Sequence, residues 1–184
     1  PVDDAIGYIK KTVIGDVMNI KKVRVDKEGT GMGWGAVYAQ YLESMDQIGE
    51  QGNGLSVSRQ LYKGDEALNE SAPLKVGDKI TVRLTVKADR DMDFVQIKDD
   101  RAACMEPLQA VSGFRWSNGL GYYQATKDAS TQFFIDQMRK GTYVIEYQVY
   151  VNRTGEYQAG IATVQSAYAP EFGGHTGGYR VMVE

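Results

Sequence analysis

The stretch TYVIEYQVYV, residues 142–151, constrains this chain more than any other segment. Side chains alternate between the two faces of a strand. Tyr143, Ile145, Tyr147, Val149 and Val151 therefore share one face, and Thr142, Val144, Glu146, Gln148 and Tyr150 share the other. The first set is β-branched or aromatic, the types that fill a pleated, half-buried surface. The pattern predicts a central strand of an antiparallel sandwich, with its inner face against a second sheet. Twelve tyrosines and 21 glycines against four prolines also favour strands and turns over helices.

Other segments repeat the pattern. In residues 78–88, DKITVRLTVKA, Ile80, Val82, Leu84 and Val86 point one way and Thr81, Arg83, Thr85 and Lys87 the other. Residues 55–62, 94–98, 131–136, 157–164 and 179–183 read as further strands. That gives about seven strands from Leu55 onward, the number of an immunoglobulin-like or fibronectin-like β-sandwich. Residues 99–130 and 165–178 read as long irregular excursions, which tend to carry function or pack on something. Upstream, residues 8–13, 20–27 and 34–41 read as two or three strands of a partial β-module. The polar, Gly-rich residues 42–54 read as a linker. The expected domains are therefore 1–48, the C-terminal part of a preceding β-module, and 55–184, the terminal sandwich. Because the chain starts directly in patterned sequence at Pro1, it reads as an excised fragment.

A net charge of −3 with no basic face gives no electrostatic basis for binding nucleic acid. No apolar run approaches the roughly 20 residues of a membrane-spanning helix. One cysteine, Cys104, leaves no intrachain disulfide to indicate a compartment.

Four segments in order carry a family resemblance: Leu74-Lys75-Val76-Gly77-Asp78-Lys79-Ile80-Thr81-Val82, Asp93-Phe94-Val95-Gln96-Ile97-Lys98-Asp99-Asp100-Arg101-Ala102, Lys140-Gly141-Thr142-Tyr143, and Tyr168-Ala169-Pro170-Glu171-Phe172. Together they resemble the last macroglobulin-like domain of bacterial alpha-2-macroglobulins. Trp34-Gly35-Ala36-Val37-Tyr38 is similar to the segment just before that domain. The resemblance implies a fragment of a large protease trap in the bacterial periplasm or cell envelope. In that family a bait region is cut, the molecule changes shape, and an internal thioester captures the protease. The implied partners are other domains of the parent chain, a thioester domain among them, and trapped proteases through the parent. The final domain is implied to be non-catalytic and to help shield the thioester from water. Tyr168 is the residue to which the resemblance gives that contact. A phenol ring can exclude water from an acyl bond while its hydroxyl stays paired.

The remaining residues are weighed individually. A thioester needs Cys followed three residues later by Gln; after Cys104 that position is Pro107, so Cys104 reads as a small buried or loop residue. His175 is the only histidine, in a Gly-rich run read as a surface loop, and no triad or metal set suggests itself around it. Asp89, Asp91, Asp93, Asp99 and Asp100 lack EF-hand spacing and have Arg90 and Arg101 nearby, which reads as a charge-paired strand end rather than a calcium site. The series Gly29, Gly31, Gly33 and Gly35 reads as turn and bulge chemistry. Trp116, Tyr122 and Tyr123 are either a mini-core, a contact for a neighbouring domain, or an exposed aromatic patch. The patch would make this a carbohydrate- or surface-binding module of a secreted protein. No enzyme mechanism, metal or cofactor is expected.

Overall fold

The computed structural model describes residues 9–15, 19–69 and 72–184. It divides into two compact units, Pro1–Leu42 and Glu43–Glu184.

In the first unit, no strand forms among the described residues. The strands expected over 20–27 and 34–41 are absent, and that over 8–13 begins at a residue outside the described ones. Trp34 and Tyr38 are each 91% exposed. Alternation alone does not make a strand. Its amides need a neighbouring strand to bond, and among the described residues of this unit no pairing is made.

The second unit opens with a short 3-10 turn, Met45–Gln47. The strands that follow are β1 (Gln51–Asn53), β2 (Leu55–Lys63), β3 (Glu66–Ala67), β4 (Lys79–Ala88), β5 (Met92–Asp100), β6 (Met105–Pro107) and β7 (Gly113–Ser117). Then come β8 (Leu120–Thr126), β9 (Ser130–Met138), β10 (Gly141–Val151), β11 (Gly155–Ala159), β12 (Ala162–Ser166), β13 (Gly173–His175) and β14 (Tyr179–Val183). The fold is an all-β antiparallel sandwich. One hydrogen-bonded path, β6-β10-β4-β2-β1-β13-β12-β5-β9-β8-β7, makes both layers, with β3 paired to β2. β6-β10-β4-β2 forms one layer and β12-β5-β9-β8-β7 the other. The short β1 and β13 join them, and β11 and β14 form a separate ribbon.

Why these residues build this core follows from their alternation. β10 runs beside β4 from Gly141↔Ala88 to Tyr150↔Lys79. On its other side it pairs with the three residues of β6, and the Leu108 amide just beyond them donates to the Gln148 carbonyl at 2.9 Å. Ile80, Val82, Leu84 and Val86 of β4 and Ile145, Tyr147, Val149 and Val151 of β10 are buried, as the pattern predicts. They meet Val95, Ile97, Phe133, Ile135 and Val164 from the facing layer in one cluster. Phe133 touches Tyr147 across the layers, ring centroids 5.9 Å apart. Each large apolar side chain so buried contributes about 1.5–3 kcal/mol.

Strand segments are more numerous than the seven expected. Nearly half of the excursion over 99–130 is strand, in β6, β7 and β8. Asn118 and Gly119 both have positive φ, +50° and +79°, and close the β7–β8 hairpin. This is the primed turn whose twist matches the strands it joins. The return strand expected over 157–164 is instead two strands in different sheets, because the chain crosses from β11 to β12 at Gly160–Ile161.

Candidate functional site

Between β12 and β13 the chain turns sharply through residues 167–172. The amide of Phe172 donates to the Ala169 carbonyl at 2.9 Å, closing a turn with Pro170 at its second position. Proline presets φ there and biases the preceding residue toward extended backbone. Ser166 N–H donates to the Phe172 carbonyl at 3.0 Å. The side chain of Asn53 donates to the Glu171 carbonyl at 2.7 Å, and that of Gln165 to the Pro170 carbonyl at 3.2 Å. Phe172 packs on the core, under the Arg90 guanidinium at 4.6 Å. A Cβ at Gly54, where φ is +69°, would lie 2.6 Å from the Phe172 ring, so glycine makes the seat.

This anchored loop holds Tyr168 at its tip, 80% exposed. The ring meets that of Phe94 edge to face, centroids 5.1 Å apart and planes at 82°. Phe94 is itself 49% exposed and has φ of +53° inside strand β5. A bulky side chain in the left-handed region costs about 1–3 kcal/mol. The β5–β9 ladder steps from Asp93↔Gln137 to Val95↔Ile135 over Phe94. Its carbonyl instead accepts from Ala167 N–H at 2.9 Å, tying the loop to the kink.

The other aromatic candidates divide. Trp116 is 77% exposed, and Tyr123 is half-buried beneath Phe114, centroids 5.1 Å apart. Tyr122 does not join them: it is 6% exposed and packs edge to face on Phe133. Adjacent strand residues point to opposite faces, so Tyr122 and Tyr123 never share a patch. Phe114 and Phe134 take its place, in the row Phe114↔Tyr123↔Phe134 across β7, β8 and β9. The Trp116 ring lies against Gly121, where a Cβ would sit 2.9 Å away.

Carboxylates do not converge. Asp89 pairs with Arg90 at 2.8 Å, Asp91 accepts from the Lys140 amide at 2.7 Å, and Asp100 pairs with Lys98. Arg101 pairs with none of them; it donates to the Lys127 and Asp128 carbonyls and to Thr131. Asp99 is buried between the layers. It accepts from Arg59 at 2.5 Å and from the Tyr147 hydroxyl at 2.7 Å. Burial pushes its carboxyl upward, against the pull of Arg59 and the Tyr147 hydroxyl. Burial, with Asp99 alongside, also raises the Tyr147 phenol well above its ordinary value. Arg59 Nη2 donates to the Gly160 carbonyl, and the guanidinium lies 4.5 Å over the Tyr179 ring. A cleft of about 480 Å³ beside it is lined by Leu61, Leu74 and Thr176, but the Arg59 charge is already met.

Cys104 is fully buried, and burial pushes its thiol up, away from reactive thiolate. His175 lies in strand β13, not in a loop. Glycines there read as loop, yet a Cβ at Gly174 would fall 2.7 Å from the carbonyl oxygens of Gln51 and Leu55. They are glycine because three backbones meet. Phe94 carried no signal in the sequence, since phenylalanine does not announce a positive φ.

A family model described as the bacterial alpha-2-macroglobulin MG10 domain matches residues 54–171, more than half of the chain, Phe94 and Tyr168 included. Among curated proteins, Circularly permutated Ras protein 2 of Dictyostelium discoideum is 28% identical over 166 residues, 86% of this chain. The chain spans only 4% of that relative. Among solved structures it is similar to Salmonella alpha-2-macroglobulin reacted with methylamine, at TM-score 0.63 and 19% identity. That match covers 74% of this chain and 10% of the other. It is also similar to native Escherichia coli alpha-2-macroglobulin from domain MG7 to the C-terminus, at TM-score 0.62 and 17% identity. There 73% of this chain and 24% of the other are covered.

Proposed function

The chain belongs to the bacterial alpha-2-macroglobulin MG10 domain family, and from that premise we propose that it is the non-catalytic domain that packs on a thioester domain of its parent and keeps water and amines from the acyl bond. The observation that carries the reading is Tyr168: a phenol 80% exposed at the tip of a loop held by side-chain and backbone hydrogen bonds. An exposed aromatic on so tied a backbone loses little further entropy when another surface covers it. Asp78, Lys140 and Gly141, at the turns quoted for the resemblance, hold strand ends.

In this reading residues 1–48 are the end of the preceding module and 55–184 the terminal domain. The parent resides in the periplasm or cell envelope, and proteases are met through it. Bait cleavage moves this domain away, and Tyr168 leaves with it. An amine nitrogen then attacks the acyl carbonyl, the C–S bond breaks, an amide forms, and the cysteine leaves as a thiol with the amine's proton. The Salmonella relative described as reacted with methylamine supplies the probe. Replacing Tyr168 by Ala in the intact parent is expected to speed methylamine incorporation before any bait cleavage. An unchanged rate would end the shielding role.

A second reading is supported by the outer face of β7, β8 and β9. Phe114, Trp116, Tyr123 and Phe134 leave an aromatic surface there, with Phe114 and Trp116 largely exposed. Such a surface suits stacking on a sugar ring or on another domain.

A further inference from the structure

We propose that Phe94 is a positioning residue: it aims the Tyr168 phenol by an edge-to-face contact, and its own left-handed backbone is what brings its ring to that place. The inference rests on the shielding reading above and names the device that holds the shield in its resting aim.

Three observations converge on it. First, the position asks for glycine. Phe94 has φ of +53°, a region that favours residues without a Cβ, yet the chain places one of its largest side chains there. Second, the ring gains little from the core in return. It is 49% exposed, while its neighbour Val95 is 1% exposed on the inner face. Third, what the ring does meet is Tyr168, at 5.1 Å and 82°, the arrangement in which a positive ring edge faces a negative ring face. The backbone makes the same connection, through the 2.9 Å hydrogen bond from Ala167 N–H to the Phe94 carbonyl. One residue thus fixes the loop by its carbonyl and the tyrosine by its side chain. Backbone strain of this kind persists where the surroundings over-determine it, and it concentrates at clamps.

The two contributions separate by mutation. Phe94→Gly removes the ring and suits the φ, so the carbonyl contact to Ala167 survives. Phe94→Tyr keeps a ring. In the intact parent protein, methylamine incorporation by the uncleaved molecule is measured for wild type, Phe94→Gly, Phe94→Tyr, Tyr168→Ala and the Phe94→Gly/Tyr168→Ala double variant. The expected result is a roughly two- to tenfold faster rate for Phe94→Gly, the population an aromatic pair of this geometry holds back. Phe94→Tyr is expected to return toward the wild-type rate. The double variant is expected to be no faster than Tyr168→Ala alone, because Phe94 acts only through that ring. A general loosening of the domain would make the double variant faster than either single one, and that would overturn the proposal. If Tyr168→Ala is fast and Phe94→Gly is not, the positioning role is wrong while the shield stands. If neither is fast, the shielding reading falls and this inference with it.

Discussion

Replacing Arg59 by Met tests whether the ion pair between the layers is as buried as it stands. The Arg59 and Asp99 side chains are 5% and 1% exposed, so neither charge is screened by water. The substitution keeps most of the side-chain length and removes the guanidinium. Asp99 then keeps only the Tyr147 hydroxyl, and the Gly160 carbonyl loses its 2.6 Å donor. Breaking a buried pair by removing one partner costs about 3–5 kcal/mol. Whole domains are stable by about 5–15 kcal/mol, so the loss is a large share. In urea, where slopes run about 1–3 kcal/mol per M, the midpoint falls by about 1–5 M with an unchanged slope. Removing both charges, Arg59→Met with Asp99→Leu, is expected to abolish the pH dependence and leave only the Tyr147 hydroxyl and the Gly160 carbonyl without partners, at about 1–3 kcal/mol each. The single variant also carries a pH signature. Without Arg59 the Asp99 carboxyl is pushed further up, so protonation favours the folded state. The penalty is full above the raised folded value and shrinks as pH falls toward the unfolded carboxylate range. A loss below about 1 kcal/mol, the worth of an exposed pair, and flat with pH, would refute the burial argument.

Tyr179 is pushed up to about 12 by burial, and Tyr147 is raised well above 10. Both keep their protons in the folded state where the unfolded chain has lost them, so stability is full below the ordinary phenol value near 10 and falls as pH rises toward 12. Burial raises the Tyr122 phenol too, so a tyrosinate absorbance titration is expected to show three late-ionising phenols that titrate normally once the chain is unfolded. For the aromatic outer face, Trp116→Ala is expected to abolish any signal on a glycan array with little change in melting temperature. An array silent for wild type would remove the sugar reading.

What was legible in the sequence follows the range of the interactions. β4 and β10 were readable because their alternation is written in consecutive β-branched residues, and the faces it assigns are the faces observed. The Tyr168 loop was readable through its Tyr-x-Pro-Glu pattern, but the Phe94 contact was not, because it joins residues far apart in sequence. Asn118-Gly119 was a strong local hairpin signal inside a stretch read as irregular. Gly173 and Gly174 carry no alternation at all, so β13 exists only through its neighbours β1 and β12. Residues 34–41 show the converse: a strand-like pattern without a partner forms no strand.

The sheet path also sets an order of assembly during synthesis. β4 leaves the ribosome roughly 60 residues before the end of its partner β10, a wait of about 3–12 s at ordinary elongation rates. β1 waits longer still, for β13, and Leu74 binds Met182 and Glu184 near the very end of this chain. A nascent chain stopped before Gly173 would hold Leu55, Val57 and the β4 stripe with an open edge beside them. That edge closes only when residues 173–183 supply β13 and β14, so the last-made strands rather than the strongest ones complete this fold.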